Sequence, residues 1–285
     1  MNKGIIIIAD AGSTKTDWAG LDGNGKLLFR LKTTGLNPEL ISPDEFLHRL
    51  HQSEILKKYA AQSGEIFFYG AGCGTEDAVK KVHHILEKFF PAARIHVAED
   101  MLGAALAASQ GREAVVAILG TGSNSAYFDG RAIHPHVVSL GYILMDEGSG
   151  NWLGKHLLLD YYYRRMPGNL AEAFAAQYDL TPATVKQHLY YGKNPSEYLA
   201  HFSRFLSQYH NTGYGSKLLS EGFDLFIRNR LLPYAAIHEV PLYFVGSVAY
   251  FYQDILKNRL EKHALKAADI LRTPMENLIQ FHRMD

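Results

Sequence analysis

The sequence predicts an α/β chain built from two copies of one strand-rich unit, and three observations predict it. Two short apolar stretches, Ile5-Ile6-Ile7-Ile8-Ala9 and Ala114-Val115-Val116-Ala117-Ile118-Leu119, each lead into a turn rich in glycine and hydroxyls and then a second strand. Strand and helix patterns alternate after each of them. At an offset of 110 residues, Gly12-Ser13 falls on Gly122-Ser123, Trp18 on Phe128 and Gly20 on Gly130. A turn that recurs with its flanking strands and its downstream aromatic marks an internal duplication. Taken alone, Asp10-Ala11-Gly12-Ser13-Thr14 is equally an ordinary hairpin turn. Its second copy favours a nest of backbone N–H groups able to hold phosphate oxygens.

Composition narrows the class. A chain of 285 residues, 47% hydrophobic and 12% aromatic, can bury a real core in one large domain or two ordinary ones. Lys+Arg and Asp+Glu both number 29, so there is no overall basic excess to suit nucleic acid or a membrane surface. The lone Cys73 excludes a disulfide framework and any cysteine-ligated cluster within one chain. With no basic-apolar leader and no long apolar run, the expectation is a cytoplasmic protein.

In chain order, Gly20-Leu21-Asp22-Gly23-Asn24-Gly25-Lys26 has the glycine and lysine spacing of a P-loop. It lacks the Ser/Thr after the lysine and precedes a strand, Leu27-Leu28-Phe29, so it reads as a hairpin turn. After a loop containing Gly35-Leu36-Asn37-Pro38, a helix is predicted over 43–60 with Ser42 as N-cap and Phe46, Leu47, Leu50 and Ile55 on its apolar face. A strand over 65–69, Gly70-Ala71-Gly72-Cys73-Gly74, a helix over 75–90 and a strand over 93–98 ending in Glu99-Asp100 follow the order of a dinucleotide-binding unit. The third glycine comes one residue early and the unit stands third in its domain, which argues against that reading. An alanine-rich helix over 101–110 precedes a hinge at Gln110-Gly111-Arg112-Glu113.

The second half opens with the strand over 114–119 and Gly120-Thr121-Gly122-Ser123-Asn124-Ser125. A strand over 133–138 follows, then Asp146-Glu147-Gly148-Ser149-Gly150 in a glycine-rich loop and a helix over 152–165. The acid pair there could bind a ligand hydroxyl or cap the helix. Residues 170–208 read as two or three more helices, with Thr181-Pro182 and Asn194-Pro195 marking starts. This tract has no partner in the first half and reads as an insertion. A long helix over 218–237, a strand over 241–245, the turn Gly246-Ser247-Val248-Ala249, a strand over 268–271 and a helix over 273–282 close the chain.

Asp10-Ala11-Gly12-Ser13-Thr14-Lys15-Thr16, Gly120-Thr121-Gly122-Ser123-Asn124, Asp146-Glu147-Gly148-Ser149 and Gly246-Ser247-Val248-Ala249 resemble, in that order, the motif set of N-acetylglucosamine kinase-like proteins. These belong to the BadF/BadG/BcrA/BcrD ATPase family, of the benzoyl-CoA-reductase-activase type, in the sugar kinase, actin and heat-shock chaperone superfamily. The resemblance spans nearly the whole chain. It implies duplicated ribonuclease H-like (actin-like ATPase) domains flanking an ATP cleft. The first would span 1–110, joined by a closing helix over about 272–285; the second would span 111–271, with a helical insertion over about 151–210.

Carried over by position, Gly12, Ser13 and Thr14 match the first phosphate loop, with Asp10 on Mg2+. Gly120, Thr121 and Gly122 match the second, and Gly246 and Ser247 the adenosine loop. Asp100 matches the catalytic base, and Asn37, Gly72, Asp100, Thr121, Asn124 and Asp146 match positions around the sugar. The implied activity is ATP-dependent phosphorylation of an amino-sugar hydroxyl, N-acetylglucosamine or a related hexosamine, with ATP and Mg2+ as cofactors. Phosphoryl transfer needs alignment and charge neutralisation more than covalent help, and a two-lobed chain suits it. The family's Gly-Trp-Gly is Ser139-Leu140-Gly141 here, so one aromatic wall of the sugar pocket is missing, and one cysteine does not suit the cluster of the activase branch. The alternatives are an ATPase that acts as a conformational switch without a sugar acceptor, and a binding module that has lost catalysis. The presence of both Asp10 and Asp100 speaks against the latter. Expected partners are ATP and a sugar, with neither nucleic acid nor membrane, and a homodimer is left open.

Overall fold

The computed structural model describes residues 4 to 284, and the chain divides into two units, residues 1–112 with 274–285, and residues 113–273. In the first, β1 (Ile5–Ala11), β2 (Lys15–Leu21), β3 (Leu27–Thr34), α1 (Pro43–His51), α2 (Glu54–Ala60), β4 (Ser63–Gly70), α3 (Glu76–Phe89), β5 (Arg94–Glu99) and α4 (Asp100–Ser109) follow in order. The second holds β6 (Ala114–Leu119), β7 (Ser123–Phe128), β8 (Ile133–His134), α5 (Gly150–Tyr162), α6 (Gly168–Gln177), α7 (Pro182–Tyr190), α8 (Pro195–Phe202), α9 (Leu206–Tyr209), α10 (Gly213–Phe226), β9 (Leu242–Val245), α11 (Ser247–Phe251), α12 (Gln253–Lys262) and β10 (Ala267–Leu271). The closing helix α13 (Met275–Met284) belongs to the first unit.

Both sheets have five strands and one topology, β3-β2-β1-β4-β5 and β8-β7-β6-β9-β10. In each, an antiparallel hairpin lies beside the first strand on one side and parallel strands lie on the other. This is the duplicated ribonuclease H-like, actin-like ATPase fold. The parallel strands explain the continuous apolar runs, because strands covered on both faces need no polar alternation. Ile7, Ala9 and Ala11 pack with Phe46, Phe68 and Leu86 under α1 and α3, while Val115, Ala117 and Leu119 pack with Trp152, Phe223 and Phe244.

Strand pairing corrects the register of the repeat. Ala11 pairs with Thr16 at the end of the first hairpin, and Leu119 with Ser123 at the end of the second. The matching offsets are therefore 119 − 11 = 108 before the turn and 123 − 16 = 107 after it, not the uniform 110 of the letter match. The third strand agrees: Ala11 pairs with Gly70, and Leu119 lies beside Gly246. Gly12 thus corresponds to Gly120, Trp18 to Ser125, and Leu21 to Phe128. The first turn is one residue longer.

Several elements differ from expectation. The helix predicted over 43–60 is two helices, because Ser53 is itself an N-cap whose hydroxyl accepts from Leu56 N; Leu56 is buried and Ile55 exposed. The third strand of the second unit stops at His134, since Pro135 has no N–H for the ladder. The long helix begins at Gly213 behind a Thr212 cap and passes into a π-helical turn, Ile227–Leu231, before Pro233. The units divide after Arg112, two residues beyond the expected boundary. Gln110 (φ 52°) and Gly111 (φ 79°) terminate α4 in left-handed conformation, and Gln110 Nε2 donates to Asn277 O of α13 at 3.2 Å.

Candidate active site

In the first unit, the site residues gather where the parallel strands end. Asp10, one residue before the end of β1, lies beside Tyr69 of β4, and Gly70 of β4 pairs with Glu99 of β5, so the turn after β1, the loop after β4 and the start of α4 share one sheet edge. Crevices at the carboxyl ends of such strands are where open α/β sheets bind ligands. The turn 12–15 closes on itself through Gly12 N donating to Lys15 O at 2.8 Å. The following loop supports it: Gly35 N donates to Thr14 O at 3.0 Å and Leu36 N to Gly12 O at 3.2 Å. Asn37 Nδ2 donates to Ser13 Oγ at 2.9 Å. Among the described residues, the amides of Ser13 and Thr14 donate to no protein acceptor. Gly72 has φ 80°, and a Cβ there would stand 2.2 Å from Asn37 Oδ1, so only glycine lets the β4 loop close onto Asn37.

The carboxylates of this edge disfavour their own ionisation. Asp10 is pushed up to about 7, chiefly by burial, then by the charges of Asp100 and Asp17, with Lys15 opposing. Asp100 is pushed up to about 6 by burial and by Glu99, against hydrogen bonds from the backbone N–H groups of Met101 and Asp100 itself. Glu99 is raised by burial. Asp17, opposite Asp10 on β2, is held by Lys15 Nζ at 3.0 Å and Lys32 Nζ at 3.6 Å. Asp100 is the first residue of α4, and its neighbour Glu99 occupies the cap position without a side-chain cap hydrogen bond. Acids raised by burial and by one another at a strand-end crevice make this edge the candidate site.

The second unit repeats the plan with different side chains. Gly120 N donates to Gly122 O at 3.0 Å. The amino end of α5 is tied to this turn, with Gly150 N on Gly120 O at 2.8 Å and Asn151 N on Thr121 O at 2.9 Å. Among the described residues, the Thr121 and Gly122 amides donate to no protein acceptor, and a Cβ on Gly120 would meet nothing within 4 Å. Asp146 is buried, with Oδ1 accepting from Ser123 N at 3.3 Å and Oδ2 from Asn151 Nδ2 at 2.7 Å. Burial raises its carboxyl; the bonds from Asn151 and Ser123, and the charge of Arg230, oppose this. Asn124 Oδ1 accepts from Ser125 N at 2.9 Å, and Ser247 is exposed at the start of α11. Gly246, at φ 129°, would place a Cβ 2.3 Å from Leu119 O. Its glycine is thus required by close packing of the strand ends themselves.

The first unit thus brings Ser13, Asn37 and Gly72 together and sets Asp10 within reach of Asp100's charge, and the second sets Gly122 against Asp146 and Gly246 against the Leu119–Gly120 turn, whereas Asn124 bonds only its neighbour Ser125 and Ser247 faces solvent. Sequence reasoning passed over Glu99, Asn151 and Arg230. Asn151 reads as an ordinary helix residue and Arg230 as one of several basic residues on a long helix; only Glu99 carried a signal, its place beside Asp100.

A solved structure aligns over almost the whole chain: the "Putative N-acetylglucosamine Kinase" of Porphyromonas gingivalis is 38% identical, covering 98% of this chain and 99% of that one, with a TM-score of 0.90. The chain belongs to the N-acetylglucosamine kinase-like family. More distant structures share the fold of this family member. One is a "Putative N-acetylglucosamine Kinase" from Chromobacterium violaceum (15% identity, 98% of each chain, TM-score 0.66). Another is a ROK family glucokinase from Streptomyces griseus in complex with glucose and AMPPNP (14% identity, 99% of each chain, TM-score 0.57). No family model matches the chain, and no curated protein does.

The residues present in each unit fit the phosphate oxygens of a nucleotide: among the described residues, each turn by itself offers a pair of amides without protein acceptors, and the space over Gly120 is open. They also fit Mg2+ bound with phosphates, which needs only one or two carboxylates, and Asp10 supplies one. Among the described residues, no group of three or more His, Cys, Asp or Glu could hold a metal by itself.

Proposed function

We propose that the protein is an ATP-dependent kinase phosphorylating a hydroxyl of an amino sugar, N-acetylglucosamine or a related hexosamine. The observation that carries this reading is Asp100. It is a carboxylate on the first residue of α4, immediately after a parallel strand, raised only to about 6, in a family named for sugar kinases. At neutral pH it is ionised yet basic enough to accept the proton of an attacking hydroxyl. Its carboxylate, fixed by the first amides of α4, orients that hydroxyl for in-line attack on the γ-phosphate.

The amides of Ser13 and Thr14 in one turn, and of Thr121 and Gly122 in the other, are the donors that take phosphate oxygens. Gly120 leaves room for the phosphate chain, and Gly246 with Ser247 receives the adenosine. Asp10 holds Mg2+, which when bound neutralises phosphate charge. Asn37, Gly72, Thr121, Asn124 and Asp146 take sugar hydroxyls, Asn37 through the amide it already lends to Ser13 Oγ. The Ser139-Leu140-Gly141 departure bears on which hexosamine is accepted, not on transfer itself.

The test is coupled ADP release with Mg·ATP over a panel of N-acetylglucosamine, glucosamine, N-acetylmannosamine, glucose and fructose. Release that depends on an amino sugar supports the reading. Release at one rate with and without every sugar would replace it with an ATPase that has no sugar acceptor.

A further inference from the structure

The π-helical turn Ile227–Leu231 belongs to none of the sequence motifs, yet it grips the segment that carries Asp146. The turn is closed by Leu232 N donating to Ile227 O at 3.0 Å, one residue wider than an α-helical bond. Such wide turns are rare and are kept mostly where a site needs them. Arg230 projects from it and is only 2% exposed. A buried guanidinium is costly unless its donors are met. Nη1 donates to Val137 O and Nη2 to Met145 Sδ, both at 3.1 Å. A carbonyl and a weakly accepting thioether are modest partners for a full charge. Asp146, the next residue after Met145, lies within reach of that charge.

Asp146 has a backbone that needs such support. At φ 69° it is a non-glycine residue in left-handed conformation, which persists only where its surroundings over-determine it. The turn supplies this on both sides, since Asn229 Nδ2 also donates to Glu147 Oε1 at 3.0 Å. Arg230 is itself anchored: Ser125 Oγ donates to its carbonyl at 2.8 Å.

We propose that Arg230 is a positioning residue of the sugar site, its planar fork holding the chain at Val137 and Met145 so that Asp146 presents its carboxylate to a sugar hydroxyl. This rests on the reading of Asp146 as a sugar residue. Lysine cannot replace the fork, because a single ammonium does not span two acceptors in fixed geometry.

The test is a double-mutant cycle on the full chain with Arg230→Met, Arg230→Lys, Asp146→Asn and the Arg230→Met/Asp146→Asn pair. KM for N-acetylglucosamine, glucosamine and ATP is read in each, with the sugar Kd by calorimetry. Arg230→Met should raise the sugar KM and Kd by roughly tenfold or more, the loss expected when a hydrogen bond to a charged group is disturbed. KM for ATP should stay within about twofold, and Arg230→Lys should show the same selectivity at smaller size. In the Asp146→Asn background, Arg230→Met should add little, because its effect runs through Asp146. Equal rises in both KM values, independent effects in the cycle, or an unchanged sugar KM in Arg230→Lys would each overturn the proposal, the last even where Arg230→Met does not fold. If the wild type phosphorylates a sugar but Asp146→Asn leaves its KM unchanged, this proposal alone fails. If the wild type neither binds nor phosphorylates any sugar, the kinase reading fails and takes this one with it.

Discussion

Asp100 is where stability and function pull in opposite directions. As the base it must be ionised, and its burial beside Glu99 makes ionisation expensive. Asp100→Asn should therefore cut sugar-dependent ADP release by roughly a hundred- to ten-thousandfold, as loss of a general base does. The rate of the wild type should rise with pH along a limb centred near 6, the value to which Asp100 is pushed. A limb centred near 4 would remove Asp100 from the base role. Stability should run the other way. The folded chain retains a proton on Asp100 up to about 6 and on Asp10 up to about 7, whereas the unfolded chain gives both up near 3.8. On these two acids the folded state binds more protons between those limits, so their contribution to stability falls as pH rises from about 4 to 7. Asp100→Asn removes part of that penalty, so its melting temperature at pH 8 should exceed the wild type's, with the gap closing near pH 4. Calorimetry across that range checks it.

Among the elements, helix starts announced themselves through local chemistry. Ser42, Thr181 and Asn194 each precede a proline, and each side chain accepts from the amide three residues on. Ser53 works the same way, but it lies inside an apolar periodicity that runs on across the break, so the split between α1 and α2 was hidden. The phosphate turns were legible because strand, glycine and hydroxyl are contiguous. Their support was not: the Asn37–Ser13 bond spans 24 residues, and the Arg230 bond to Val137 spans 93. The repeat was visible but misaligned, since letters matched at 110 where strand pairing sets 108 and 107. Gly246 is a sharp test at this scale. Gly246→Ala forces a Cβ against Leu119 O at an unfavourable φ, so it should lower the melting temperature and weaken ATP binding while Kd for the sugar changes little. Differential scanning fluorimetry and nucleotide titration read both.

Across the whole molecule, the duplication is one of backbone more than of chemistry. With β1 laid on β6, Asp10 corresponds to Ile118, so only the first unit carries an acid at that place. Composition showed that the chain could bury a core and argued against an overall basic face. It could not show how α13 is secured: Tyr69 OH lies 3.0 Å from His282 Nε2, Phe67 packs on His282, Arg30 pairs with Glu276, and Arg283 Nε donates to Gly25 O at 2.8 Å. Ending the chain after Thr273 should lower protection of β4 and α4 amides in hydrogen exchange while leaving β6 and β9 protected. Equal loss in both units would contradict the division.

That return of α13 also bears on how the chain is made. The second unit is one uninterrupted stretch, whereas the first draws on residues from both sides of it. A ribosome adding roughly 5–20 residues per second needs about 8 to 30 s to lay down the 273 − 112 = 161 residues between the two parts of the first unit. For that interval the small-residue surface of α4 that α13 will cover stands open, and the later-synthesised unit can fold before the earlier one is complete.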